Sequence, residues 1–222
     1  MSPIDNRILY FYQSLSAPHN LPKDIETMNP YTNTKTWAIV EQFYQKYYND
    51  NHLRIALFGI NPGRFGAGAT GIPFTDPIRL ETYCQIKNEF DKRAELSSKF
   101  IYDLVKAYGG CRKFYGEYYI TGVSPLGYVL NGKNINYYEL PNWKSTFETH
   151  VIEWIEKQLG FLNRSFAICI GQGENFKFLN DLNKKHKFFS EIRPAPHPRW
   201  VMQYRLKRKE EYIQQFISAL SD

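Results

Sequence analysis

Asn61 sits in the run Gly59-Ile60-Asn61-Pro62-Gly63-Arg64-Phe65-Gly66-Ala67-Gly68-Ala69-Thr70-Gly71-Ile72-Pro73-Phe74, directly after the apolar segment Leu53-Arg54-Ile55-Ala56-Leu57-Phe58. A carboxamide offers an acceptor oxygen and a donor NH2 group, but no basic site near neutral pH. Phe74 closes the same glycine-rich, proline-pinned loop and supplies a flat apolar face. An amide and an aromatic ring aimed into one pocket suit a flat heterocycle. A second polar group stands far along the chain in Pro196-His197-Pro198-Arg199. Alone, each feature has a plain structural explanation. Asn-Pro-Gly is a strong turn former, and a histidine beside prolines is often only a loop residue. Delivered to the same edge of one sheet, the two become a candidate site.

Other chemistries fit the chain poorly. Gly66 to Gly71 spells G-x-G-x-x-G, but that fingerprint needs its first glycine directly after the strand and its last entering a helix. Asn61 to Phe65 intervene here, and Pro73 follows too soon for a helix to begin. No G-K-[ST] follows, which excludes a phosphate-cradling P-loop. His19, His52, His150 and His186 lack metal-ligand spacing, so no metal site is expected. No serine or cysteine is matched to a base as a nucleophile. Cys84, Cys111 and Cys169 are odd in number and widely spaced, without a Cys-x-x-Cys. They read as buried small hydrophobes rather than a disulfide framework or zinc ribbon.

The elements that must position Asn61 and His197 follow from periodicity. Apolar runs predict strands over about Arg54 to Ile60, Tyr118 to Val123, Ser165 to Ile170 and Phe188 to Arg193. Helical spacing predicts helices from Ser2-Pro3 (cap and first turn) through Leu15, and over Thr36 to Tyr48, Pro77 to Asn88 and Glu95 to Tyr108. Further helices are predicted over Trp143 to Leu159, from Gly173 to about His186, and from about Met202 to Leu220. Pro18 to Thr34 and Asn131 to Pro141 read as connections. Short apolar strands alternating with helices imply a parallel sheet covered on both faces. The expected fold class is α/β, a three-layer αβα sandwich with a short, central four-stranded parallel sheet. In such sheets ligands bind in the crevice at the carboxyl ends of the strands.

The chain has 222 residues, 43% of them hydrophobic, and a net charge of +6. That length suits one domain, residues 1–222, burying roughly 70% of its extended surface. No apolar stretch approaches the ~20 residues of a membrane span. The N-terminus lacks signal-peptide features, so the expected location is cytoplasmic. The positive balance points weakly towards nucleic acid. Arg199, Arg205, Lys207, Arg208 and Lys209 cluster behind the His197 loop, and Lys184, Lys185 and Lys187 form a second group. Solvated helix faces explain the second group equally well.

The long glycine loop resembles the first active-site motif of the uracil-DNA glycosylase superfamily, most nearly its single-strand-selective monofunctional branch. Ser124-Pro125-Leu126, Gly132-Lys133-Asn134-Ile135 and Glu139-Leu140-Pro141 are similar to that branch's pyrimidine-reading region. Pro196-His197-Pro198-Arg199 resembles its second catalytic motif, and Gly171-Gln172-Gly173 falls at its glycine turn. The likeness runs from about Arg54 to Tyr204 and lies in the strand-end loops.

The resemblance implies a monofunctional DNA-repair glycosylase that needs no cofactor and flips a base out of single-stranded DNA, and of duplex DNA as well. It implies that His197 donates to uracil O2, Asn61 orients the attacking water, Phe74 stacks on the base and Asn134 reads its N3–O4 edge. Gly63 and Ala67 would survey the C5 edge. Arg199, Trp200, Val201 and Met202 would form a wedge, with Trp200 alternatively anchoring the last helix. Arg205, Lys207 and Arg208 would meet phosphates. The protein is expected to be a monomer of the bacterial cytoplasm. The other classes consistent with the cleft are a non-catalytic nucleobase or nucleotide binder and a dinucleotide-dependent enzyme.

Overall fold

The computed structural model describes residues 3–220. In chain order the elements are α1 (Ile4–Gln13), β1 (Ile25–Met28), α2 (Thr34–Tyr48), β2 (Arg54–Gly59), α3 (Ala67–Thr70), α4 (Pro77–Thr82), α5 (Leu96–Tyr108), α6 (Cys111–Glu117) and β3 (Tyr118–Gly122). There follow β4 (Gly127–Leu130), β5 (Lys133–Ile135), α7 (Trp143–Leu159), β6 (Leu162–Ile170), α8 (Glu174–His186), β7 (Ile192–Ala195), α9 (Pro198–Tyr204) and α10 (Lys209–Leu220). The cap expected at Ser2 lies outside the described residues.

The main sheet has four strands in the order β3-β2-β6-β7, and every neighbouring pair is parallel. The expected α/β sandwich is therefore the observed one. Successive side chains on a strand point to opposite faces, and β3 shows what each face meets. Tyr119 packs on Tyr44 and Tyr48 of α2 and donates to the Tyr12 hydroxyl of α1 at 2.9 Å. Its neighbour Tyr118 turns the other way, onto Tyr108 of α5, and donates to the Leu220 carbonyl at the end of α10 at 3.0 Å. One helical layer thus contains α1 and α2, the other α5 and α10.

Strand β2 is central, and Ala56, Leu57 and Phe58 are all fully buried. Arg54, at its start, is also fully buried. Its guanidinium pairs with Asp50 at 2.7 Å, donates to the Tyr115 carbonyl at 2.8 Å and to the His52 carbonyl, and lies over the Tyr48 ring. The same guanidinium holds the Asp50 carboxyl below the usual carboxylate range. Asp50 is partly exposed, so the cost of losing Arg54 falls mainly on the buried carbonyls it satisfies and on the space its side chain fills. Arg54→Ala is therefore expected to lower stability by about 2–4 kcal/mol, read as an earlier urea midpoint with an unchanged slope.

Four expectations are corrected. A second, antiparallel sheet in the order β1-β4-β5 forms where no strand is expected, with β1 and β5 inside the two expected connections. The fourth strand is Ile192–Ala195, not Phe188 to Arg193. Phe189 is clamped instead by the Asn183 side chain, which accepts its N–H at 2.9 Å and donates to its carbonyl at 3.0 Å. Pro194 is tolerated in β7 because that strand is an edge. Helix α4 stops at Thr82, since Gln85 takes a left-handed φ of 54°. The long last helix is broken into α9, a 3-10 turn at Leu206–Arg208, and α10.

Candidate active site

The loops after β2, β3, β6 and β7, together with the β4–β5 hairpin, enclose a cavity of roughly 960 Å³. Asn61, Gly63, Ala67, Phe74, Asn134, His197, Arg199 and Trp200 all line it. Residues from both ends of the sequence thus meet at the carboxyl edge of one sheet.

Asn61 is held at both ends of its amide. Its Oδ1 accepts the Tyr137 N–H at 3.0 Å, and its Nδ2 donates to the Ile135 carbonyl at 3.2 Å and the Pro62 carbonyl at 3.4 Å. Backbone donors and acceptors cannot exchange roles, so the amide has one orientation. Oδ1 keeps a second lone pair, which can accept a hydrogen from water.

Asn134 is oriented the same way. Its Oδ1 accepts the Arg64 N–H at 3.3 Å, which leaves its NH2 group free to donate. The hairpin fixes its position, with Asn134 opposite Val129. Gly63 lies beside it. A Cβ there would stand 3.4 Å from Asn134 Nδ2 and 3.0 Å from Glu95 Oε1, so any larger residue would press on both. Ala67 is buried at the start of α3.

Phe74 adopts a left-handed φ of 53°. For a bulky residue that conformation costs about 1–3 kcal/mol and persists where the surroundings enforce it. The ring lies against Gly59, where a Cβ would come within 2.7 Å of it. The end of β2 must therefore be glycine for the ring to lie there. The Phe74 and His197 ring centroids are 6.3 Å apart.

His197 caps α9, and its Nδ1 accepts the Arg199 N–H at 3.2 Å. That bond requires an unprotonated Nδ1, so in the neutral ring Nε2 holds the hydrogen. Burial, and then the Arg199 charge, push its pKa down to about 4. The folded value lies below the ordinary 6.5, so the protein holds a neutral imidazole, and the stability this contributes is full above about pH 6.5 and lost progressively as pH falls from there to about 4. Any reaction using this Nε2–H is expected to show no inflection near pH 6.5 in single-turnover rates. An inflection there that survives Glu95→Gln would contradict the assignment.

Two residues of the cavity wall carry no sequence signal. Glu95 precedes α5, and its carboxylate lies against Gly66, filling the space a Cβ there would need. Burial and Asp76 raise its pKa, against the pull of Arg199. Asn175 is buried on α8 and ties three segments together. It accepts from the Tyr137 hydroxyl at 2.9 Å, and donates to the Gly59 carbonyl at 3.2 Å and to Cys169 Sγ at 3.3 Å. A lone Glu and a lone Asn cannot be recognised without the fold that brings loops to them.

The basic residues divide. Arg199 is exposed at the cavity, as are Lys133 and, in part, Arg64. Trp200 is 40% exposed, packs edge-on against Tyr212 of α10, and carries the Arg205 guanidinium 4.9 Å from its ring centre. It both faces the cavity and anchors the last helix. Val201 and Met202 are buried and cannot belong to a wedge. Lys207 and Arg208 lie on the turn outside the cavity wall, and Arg208 pairs with Glu211 at 2.8 Å. Lys184 and Lys185 pair with Asp181 and Glu148. Gly66 to Gly71 encloses α3 rather than opening a long helix, with Gly71 as a left-handed cap. Among the described residues no group of three or more His, Cys, Asp or Glu is arranged to hold a metal ion, and no helix is long and apolar enough to cross a membrane.

The family model of the uracil DNA glycosylase superfamily matches residues 45–221. The chain belongs to the uracil-DNA glycosylase superfamily. Its fold is similar to the crystal structure of wild-type SMUG2 from Pedobacter heparinus, with a TM-score of 0.95 and 43% identity, covering 99% of this chain and 97% of that one. No curated protein sequence matches it. As a glycosylase of this superfamily the protein is a DNA-acting hydrolase, and the cavity holding Asn61 and His197 is its candidate active site.

Proposed function

We propose that the protein is a monofunctional uracil-DNA glycosylase, which hydrolyses the N-glycosidic bond of uracil, and of related deaminated or oxidised bases, after flipping the nucleotide into the cavity. Breaking that bond leaves positive charge on the sugar and negative charge on the departing base, mainly at O2. His197 Nε2–H stabilises the O2 anion, an oxyanion-type contribution worth about 3–4 kcal/mol. Asn61 Oδ1 accepts a hydrogen from the attacking water and aims its lone pair at C1′. Phe74 stacks on the flipped base, worth about 1–3 kcal/mol and indifferent to its identity. Asn134 donates to O4 and accepts from N3–H, the opposite of the pattern cytosine presents. No step requires a cofactor. The enzyme acts as a monomer in the cytoplasm, on single-stranded and duplex DNA. Arg199 and Trp200 contact the strand, and Arg205 and Lys207 contact phosphates. Arg208 reaches a phosphate only by releasing Glu211.

The observation that carries this reading is the locked pair of polar groups. Asn61 and His197 line one cavity, each with its hydrogen-bonding sense set by backbone groups. Oligonucleotides with a single deoxyuridine test it. The wild type should release free uracil and leave an abasic site cut only by later alkali, with rates falling steeply as salt rises. Binding of uracil without turnover would instead favour a nucleobase-binding protein.

A further inference from the structure

Two free thiols stand together outside the cavity. Cys84 follows α4 and is fully buried, while Cys111 opens α6 and is partly exposed. Cys111 Sγ is 3.6 Å from the carbonyl oxygen of Tyr83, the residue before Cys84, which sets the two side chains beside each other. Lys46 and the Tyr47 hydroxyl both donate to the Cys84 carbonyl, at 2.6 and 3.4 Å. The Cys84 thiol, then Tyr47 and Lys46, favour the Cys111 thiolate, while burial pushes the Cys84 thiol up. An accessible, more acidic sulfur beside a protected one is the arrangement of an attacking and a resolving cysteine. Cys169 is buried on β6 against Asn175.

We propose that Cys84 and Cys111 are a modification site that closes to a reversible disulfide on exposure to a hydroperoxide. The Cys111 thiolate attacks one oxygen of hydrogen peroxide, the O–O bond breaks, and the departing hydroxide is protonated to water. The Cys84 sulfur then attacks the Cys111 sulfenic acid, forming the S–S bond and expelling a second water. Two thiols lose two electrons and two protons, and one peroxide becomes two waters. A dithiol reverses the step by exchange.

The pair is wired to the glycine loop. Cys84 Sγ is 3.0 Å from the Tyr102 hydroxyl, which is 3.0 Å from Thr75 Oγ1. The Thr75 carbonyl accepts the Thr70 hydroxyl at 2.7 Å. Drawing Cys84 towards Cys111 removes one end of this chain, next to Phe74, and slows excision. That consequence rests on the glycosylase reading, whereas the disulfide does not.

Titration with hydrogen peroxide, thiol counting and non-reducing peptide mapping of the full chain test both parts. The expected result is loss of two thiols, a Cys84–Cys111 linked peptide, an unmodified Cys169, and recovery with dithiothreitol. Uracil excision should fall several-fold and recover in step. Cys111→Ser should abolish the link and the loss of rate. Over-oxidised Cys111 beside a free Cys84, or no linked peptide, overturns the site. A linked peptide with unchanged excision overturns the coupling. Peptide mapping decides the site even if the untreated protein releases no uracil.

Discussion

Replacing His197 by alanine is expected to slow single-turnover uracil excision by about 10²–10³-fold, the range for loss of one oxyanion-type donor. The effect should fall on the rate of the chemical step and leave KM nearly unchanged, because charge reaches O2 only as the bond breaks. On the proposed mechanism this donor works at neutral pH. Nδ1 is occupied as an acceptor by the Arg199 N–H, and the depressed pKa of about 4 keeps the ring neutral. A neutral donor whose other nitrogen is fixed by a backbone N–H would need little reorganisation during the reaction. The ring also caps α9, so the variant should lose about 1 kcal/mol of stability, which thermal unfolding would separate from the catalytic loss. A rate within a few-fold of wild type would remove His197 from the mechanism.

Asn61 carries the second large effect. Asn61→Ala is expected to lower the rate by about 10²-fold or more, since a misplaced reactant alone can cost that much. Asn61→Asp is the more discriminating variant. A carboxylate could attract the developing positive charge on the sugar. Here, however, one of its oxygens would face the carbonyl oxygens of Ile135 and Pro62, to which the amide now donates at 3.2 and 3.4 Å. The aspartate variant is therefore expected to resemble the alanine variant at neutral pH. Excision at or above the wild-type rate would show that those carbonyl contacts do not hold the group.

The parts of this site that could be read from sequence are those carried by local chemistry. The apolar run into Gly59, the turn at Asn61-Pro62-Gly63 and the proline-flanked His197 each announce a strand end. The β4–β5 hairpin lies where no strand is expected, although Asn131-Gly132 stands between Gly127–Leu130 and Lys133–Ile135. Both turn residues have positive φ, 49° and 70°, as a two-residue hairpin turn requires. That signal was available, and it matters because the hairpin presents Asn134 and Lys133 to the cavity. The backbone clamp on Asn61 was not available, since it depends on Ile135 and Tyr137 arriving from a distant segment. Nor was the burial of Val201 and Met202, which follows from α9 leaving the loop at an angle set by tertiary packing. The strand expected at Phe188 was misplaced because a side-chain amide, Asn183, substitutes for a strand partner.

A crystal structure of the protein bound to an oligonucleotide containing 2′-fluoro-2′-deoxyuridine, whose glycosidic bond resists cleavage, tests the central claim most directly. The uracil should lie on Phe74 with O2 about 3 Å from His197 Nε2, and a water should bridge Asn61 Oδ1 and C1′ on the opposite side of the bond. A uracil seated elsewhere, or one that meets only one of the two groups, would contradict the account.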